Sequence, residues 1–366
     1  MPSWGGRSRR ALVRQAPGGW WRAYAYRSVQ RYDVYTRTAF TDTIHSSERS
    51  LSPKLLHHPD GITAVDTEYL HPGHAASHIL QDAGHAAFVD VGTNYSVPYL
   101  LAALEALGIA REAVDYVFLT HVHLDHAGGA GRLIQELPNA RAVLHPRGAP
   151  HMIEPEKLIA GSKVVYGEER FQKLYGDLIP IPAARVQVVQ DGERFRLGGR
   201  ELELIHTPGH ALHHYAVVDS AHASIFPGDT FGISYREMDS PRGAFITPTT
   251  TPTQFDPEQL IASIDRMAGY APAAMYLMHY SRVTDVPRLA GVLKNQIREF
   301  VGIARRHANA QDPYAGIRSD MLDLWLGLAH QHGVPLSDAQ FTTLLEGDLD
   351  LNTQGLVVWL DRLKRS

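Results

Sequence analysis

From Gly61 onward, apolar residues cluster in short runs: Ile62–Asp66, His78–Gln81 and Ala86–Asp90, separated by His71-Pro72-Gly73 and Asp82-Ala83-Gly84. Short β-type runs bounded by turn residues predict a strand meander. The period then changes. Ser96–Leu107 carries apolar residues at helical spacing with Gly108 as a stop, and Ala113–Leu119 reads as a buried strand. A helix near Gly128–Leu137, a strand at Ala142–Leu144 and an insertion of mixed character from Pro146 to Pro182 follow. Strands are predicted again at Arg185–Val189, Arg194–Leu197, Glu201–His206, His214–Asp219 and Ala223–Pro227, then a helix at Pro257–Met267 and a strand at Ala274–Met278. This order fits two sheets with helices outside better than one doubly wound parallel sheet.

Beyond Asp285 the pattern is helical throughout, over Val286–Arg306, Ile317–His332, Ser337–Leu345 and Leu351–Leu363. These helices must bury a face, on the main domain, as a lid or in a homodimer contact. The expected organisation is therefore an appended segment over 1–52, a catalytic domain over 53–285 and a helical extension over 286–366.

The 366 residues, 44% hydrophobic and 20% charged, suffice for an ordinary globular core. No run approaches the roughly 18 apolar residues that cross a bilayer, so a soluble, cytoplasmic protein without membrane contact is expected. Arg9-Arg10 is followed only by Ala11-Leu12-Val13 before Arg14, too short for an export signal. Residues 1–50 hold nine arginines against three acids, whereas the rest carries 36 acids against 26 basic residues. An acidic body argues against nucleic acid and for a small-molecule substrate. With no cysteine in the chain, histidine and carboxylate are the remaining strong ligands for a transition metal.

One segment concentrates them. The apolar strand Ala113–Leu119 ends in Thr120, then His121-Val122-His123-Leu124-Asp125-His126, and Ala127-Gly128-Gly129 follows. Alternate side chains His121 and His123 can meet one ion, while Asp125 and His126 turn toward a second about 3.5–4 Å away. Three further candidates each close an apolar strand: His206 after Leu202–Ile205, Asp229 after Ile225-Phe226-Pro227-Gly228, and His279 after Met275–Met278.

With Thr207-Pro208-Gly209-His210 and Pro227-Gly228-Asp229-Thr230, this pattern resembles the metallo-β-lactamase superfamily over roughly residues 60–285. The resemblance implies an α/β (α+β) fold, a four-layer αβ/βα sandwich, here with a C-terminal helical extension. It places His121, His123 and His206 on one metal, Asp125, His126 and His279 on another, and Asp229 between them. Asp90, in Asp90-Val91-Gly92-Thr93, matches an aspartate that fixes a ligand histidine from behind, and His210 is a second candidate for such support. Two divalent ions are expected as cofactors, zinc first, with iron or manganese as alternatives.

Water held between two such ions loses a proton near neutral pH, so hydrolysis of a small ester, thioester or lactone is the expected reaction. Asp125 and Asp229 would orient that water. Tyr235, in the long Phe231–Asp256 loop, would donate to the leaving group, and Arg236 or Arg242 would bind a carboxylate. The ligand set is similar to that of the glyoxalase II branch, but the lysine and tyrosine that grip glutathione there are replaced by Ile233-Ser234-Tyr235-Arg236. The alternative is a single-iron oxidoreductase resembling persulfide dioxygenases.

Overall fold

The computed structural model describes residues 51–250 and 252–365, so the appended N-terminal segment and its arginine pair lie almost wholly outside the described residues. Two mixed sheets face one another. The first runs β1 (Leu55–His57), β2 (Ile62–Asp66), β3 (Ala76–Asp82), β4 (His85–Val89), β5 (Val114–Phe118), β6 (Arg141–Leu144) and β7 (Val186–Val188) in spatial order. Its first four strands pair antiparallel, and β4 to β7 run parallel. The second contains β8 (Glu193–Leu197), β9 (Arg200–His206), β10 (Tyr215–Asp219), β11 (Ser224–Phe226), β12 (Ala274–Leu277) and β13 (Ser281–Val283), with only β11 and β12 parallel.

Period-two alternation explains how the layers stack. In β4, Ala87 and Val89 point between the sheets, whereas Ala86 and Phe88 meet Leu100, Leu104 and Leu133 of the helices Val97–Ala106 and Ala130–Glu136. In β9, Leu202 and Leu204 join the inter-sheet core and Ile205 joins the outer one. The result is helix, sheet, sheet, helix.

The Pro146–Pro182 insertion folds as three helices, Ala149–Ile153, Glu156–Tyr166 and Glu168–Tyr175. Phe171 and Tyr175 pack there on Leu124, inside the metal motif. The C-terminal region forms three helices, Val286–His307, Pro313–His332 and Asp338–Leu363. They share one apolar core with the second sheet and the Pro257–Ala268 helix.

The last helix corrects a sequence expectation. Glu346, Asp348 and Asp350 interrupt the apolar period, which reads as an end between two helices, yet the helix continues through them. Arg318 binds both Asp350 (2.6 Å) and Glu346 (3.7 Å), and Tyr235 donates to Asp348 (3.1 Å). Acids with partners do not break a helix.

Candidate metal centre

Each side chain of the centre hangs from the loop that leaves a strand. After β5, Thr120 turns the chain, and the short helix Leu124–Ala127 carries Asp125 and His126 back over the strand end. After β9, Thr207–His210 makes a tight turn. Gly209 has φ +126°, and a Cβ there would lie 2.2 Å from the Leu260 backbone nitrogen, so only glycine lets this turn pass the helix behind it. After β11, Gly228 has φ +50°, and a Cβ would meet His214 Nε2 at 2.5 Å. His279 follows β12.

Seven donors converge in two neighbouring groups: His121, His123, His210 and Asp229, and Asp125, His126 and His279. His123 Nδ1 is 2.8 Å from His121 Nε2 and 3.1 Å from His210 Nε2. Asp229 reaches both groups, with Oδ2 3.5 Å from His210 Nε2 and Oδ1 3.1 Å from His126 Nε2. His279 Nε2 stands 3.4 Å from Asp125 Oδ2.

His206 does not join them. It is the last residue of β9, paired with Tyr215, and shares the parity of Leu202 and Leu204, so its ring lies against His145 (centroids 4.2 Å apart). The turn at Gly209 delivers His210 instead. Both histidines stand in the same short stretch, and counting from the strand end selects the wrong one.

The supports behind the donors fix their tautomers. Asp90 accepts from the Thr120 backbone N–H (2.8 Å) and hydroxyl, and from His126 Nδ1 (2.9 Å). The carbonyl of His74 accepts from His279 Nδ1 (2.9 Å). Thr249 Oγ1 lies 2.7 Å from His210 Nδ1, and Thr120 Oγ1 3.1 Å from His121 Nδ1. Each leaves the opposite nitrogen facing the centre. The sequence reading missed His214, whose Nε2 accepts from the Asp229 backbone N–H at 3.2 Å and so places that aspartate.

Burial lowers His123 to about 3 and His210 to about 4, and holds His121 well below its usual value, so these rings are neutral lone-pair donors. Burial also opposes charge on His126, but Asp229, Asp90 and Asp125 together outweigh it and hold the imidazole well above its usual range. For Asp229 burial pushes upward, yet His126, His210 and His279 keep the carboxyl well below. His126 Nε2 and Asp229 Oδ1 are buried without a hydrogen-bond partner. An orphaned imidazole nitrogen and carboxylate oxygen facing each other, among imidazoles and carboxylates, fit a divalent cation.

Two further expectations are corrected. Tyr235 is fully buried, and its hydroxyl donates to Asp348 Oδ2 while its ring stacks on His74 (5.1 Å), so its proton is committed within the protein. The Phe231–Asp256 loop is held down on the protein by the Ile233–Thr247 bridge and by Thr250 bonded to Asn352. Both arginines are committed within the protein, Arg236 to the Ser234 carbonyl and Asp239, and the exposed Arg242 to the Gln331 carbonyl.

A family model of the Metallo-beta-lactamase superfamily matches residues 70–279. A metallo-beta-lactamase fold-containing protein of Sulfurisphaera tokodaii is 30% identical over 173 residues, 46% of this chain and 61% of that protein. A hydroxyacylglutathione hydrolase of Aeromonas hydrophila is 30% identical over 152 residues, 42% of this chain and 44% of the enzyme. The chain thus spans about half to three fifths of these relatives. Among solved structures, a metallo-beta-lactamase family protein from Thermus thermophilus superposes with TM-score 0.59 at 20% identity, covering 85% of this chain and 92% of that one. An archaeal superfamily protein from Sulfolobus tokodaii superposes with TM-score 0.53 at 23% identity, covering 67% and 87%.

Proposed function

The chain belongs to the metallo-beta-lactamase superfamily, and on that footing we propose that it is a hydrolase with a two-metal centre, acting on a small ester, thioester or lactone. The observation that carries this reading is the presence of two complete donor groups with Asp229 reaching into both. His121, His123, His210 and Asp229 would hold one ion, and Asp125, His126 and His279, with the second oxygen of Asp229, the other. Zinc suits neutral imidazoles and carboxylates with no thiolate.

Two bound dications would supply an acidified water as nucleophile and a Lewis acid for the substrate carbonyl. The chain's own groups do the rest. Of the carboxylates in the centre, Asp125 is the more open to solvent, its side chain 23% exposed against 8% for Asp229. It is placed to take a proton from water and release it outward. Asp90, the His74 carbonyl and Thr249 keep the imidazoles aimed inward, which reduces reorganisation during reaction. Tyr69 and Tyr166 lie within the field of Asp125, and Tyr69 bonds Tyr175 at 3.0 Å. The partly exposed rings of Tyr69 and Tyr166 would offer an acyl chain an apolar surface beside the reacting carbonyl. The hydroxyacylglutathione hydrolases among the relatives support a thioester as one substrate class.

The test is a panel of thioesters, lactones and phosphoesters offered to the metal-loaded protein. Turnover of a thioester or lactone that chelator abolishes and zinc restores is expected. Oxygen uptake with glutathione persulfide on a single iron, with the panel untouched, would replace this reading by the oxidoreductase one.

A further inference from the structure

Two adjoining cavities lie between the loop that follows Asp229 and the first two C-terminal helices. The first, about 190 Å³, is walled by Ala244, Phe245 and Ile246 of the loop, Val292 of the Val286–His307 helix and Leu328 of the Pro313–His332 helix. The second, about 280 Å³, is polar and includes Arg236, Asp239 and Asp285. Arg242, Ala244 and Arg288 line both, so the two arginines stand where an apolar chamber meets a polar one. None of the seven metal donors lines either cavity.

The charge at this junction is not balanced. Asp239 is answered by Arg236 at 3.4 Å and Asp285 by Arg288 at 2.6 Å. Arg242 has no carboxylate partner among the described residues: Nη1 donates to the Gln331 carbonyl, and the other N–H groups of a five-donor guanidinium remain. Arg288 gives Nε to Asp285 and Nη2 to the Ala244 carbonyl (3.3 Å), which leaves Nη1. Both side chains can be reached from solvent, Arg242 being exposed and Arg288 34% exposed. Guanidinium donors beside hydrocarbon walls suit a carboxylate carried on an apolar body. The carboxylate takes charge-assisted hydrogen bonds, and the body displaces water from the walls. An apolar cavity of roughly 150 Å³ takes up benzene, so the first chamber has room for one ring.

We propose that these cavities form a binding site, separate from the metal centre, for a small aromatic carboxylate, with its ring in the first chamber against Phe245, Val292 and Leu328 and its carboxylate on Arg242 and Arg288. The inference goes beyond the hydrolase reading and does not depend on it, because it uses none of the metal donors.

The test titrates the full-length, zinc-loaded protein with three ligands, followed by nuclear magnetic resonance at about pH 7.5, where carboxylates are ionised. Benzoate carries both ring and charge, benzamide the ring alone and acetate the charge alone. Benzoate should bind wild type with a dissociation constant of about 1 mM or below, and benzamide and acetate should each bind about tenfold more weakly or worse. Arg242→Gln, at an exposed position, should bring benzoate to within about threefold of benzamide. Val292→Phe, which fills the chamber, should weaken benzoate by about tenfold or more, with circular dichroism confirming that each variant is folded. Benzoate that binds wild type and both variants equally sits elsewhere, on the metal ions for instance, and overturns the proposal. Failure of wild type to bind benzoate at about 10 mM overturns it as well.

Discussion

Asp90 does two tasks with one carboxylate. Oδ1 accepts the Thr120 backbone N–H that turns the chain into the metal motif, and Oδ2 fixes His126. Asp90→Asn therefore keeps the shape but presents an amide that no longer favours the required tautomer. We expect metal affinity, measured by competition with a chromophoric chelator, to fall about 10–100-fold with the fold intact by circular dichroism. The histidine pair four residues apart gives the sharper test. His210→Ala should weaken binding of at least one ion and abolish hydrolysis, whereas His206→Ala, which removes a ring packed on His145, should retain both ions and most activity. Metal analysis of the two variants decides it, and the reverse order of effects would restore His206 as the ligand. The cluster His121 to His126 was legible because its donors are local, four within six residues. The choice between His206 and His210 was not, because it depends on a backbone turn that passes a helix 50 residues later in the chain.

At the level of elements, the buried strand Ile62–Asp66 and the amphipathic helix Pro257–Ala268 were readable to within a residue or two. The insertion was not, since its helices draw their order from Leu124 and from each other rather than from a long apolar stripe. Nor was the continuity of Asp338–Leu363, where the acids that look like a break are answered by Arg318 and Tyr235 from distant segments. The C-terminal helices are integral to the molecule's second core: Trp325 is fully buried and meets Phe300 edge-on at 6.0 Å, in the same cluster as Ile205 and Met275 of the sheet. Trp325→Ala should cost about 3–5 kcal/mol. Because the core is shared, denaturant should still unfold sheet and helices in one transition, by far-ultraviolet circular dichroism and by tryptophan fluorescence alike. Two separated transitions would show the helices to be an independent lid.

Across the whole molecule, the described histidines divide into donors of the centre, buried rings such as His78, and exposed rings such as His85 and His330 paired with carboxylates, a division that composition alone cannot make. His78 is not among the donors; its ring meets Phe226 and Tyr276 edge-on, and burial lowers it to about 3. Its folded-state value lies below its unfolded one of about 6.5, so the unfolded chain binds the proton first as pH falls. Stability from this residue is complete above about pH 6.5 and is lost toward pH 3, at most roughly 1.4 kcal/mol per pH unit. The metal-free His78→Leu variant should lose less stability than metal-free wild type over that interval, as read by denaturant midpoints. An equal pH slope in both proteins would mean that His78 is not held neutral by its surroundings.

The central claim is that the seven donors make two metal sites joined by Asp229. Native mass spectrometry of zinc-saturated protein, after removal of free metal, tests it directly: two zinc ions per chain are expected for wild type, and loss of at least one for Asp229→Ala. A wild-type chain that retains one ion or none would contradict the account.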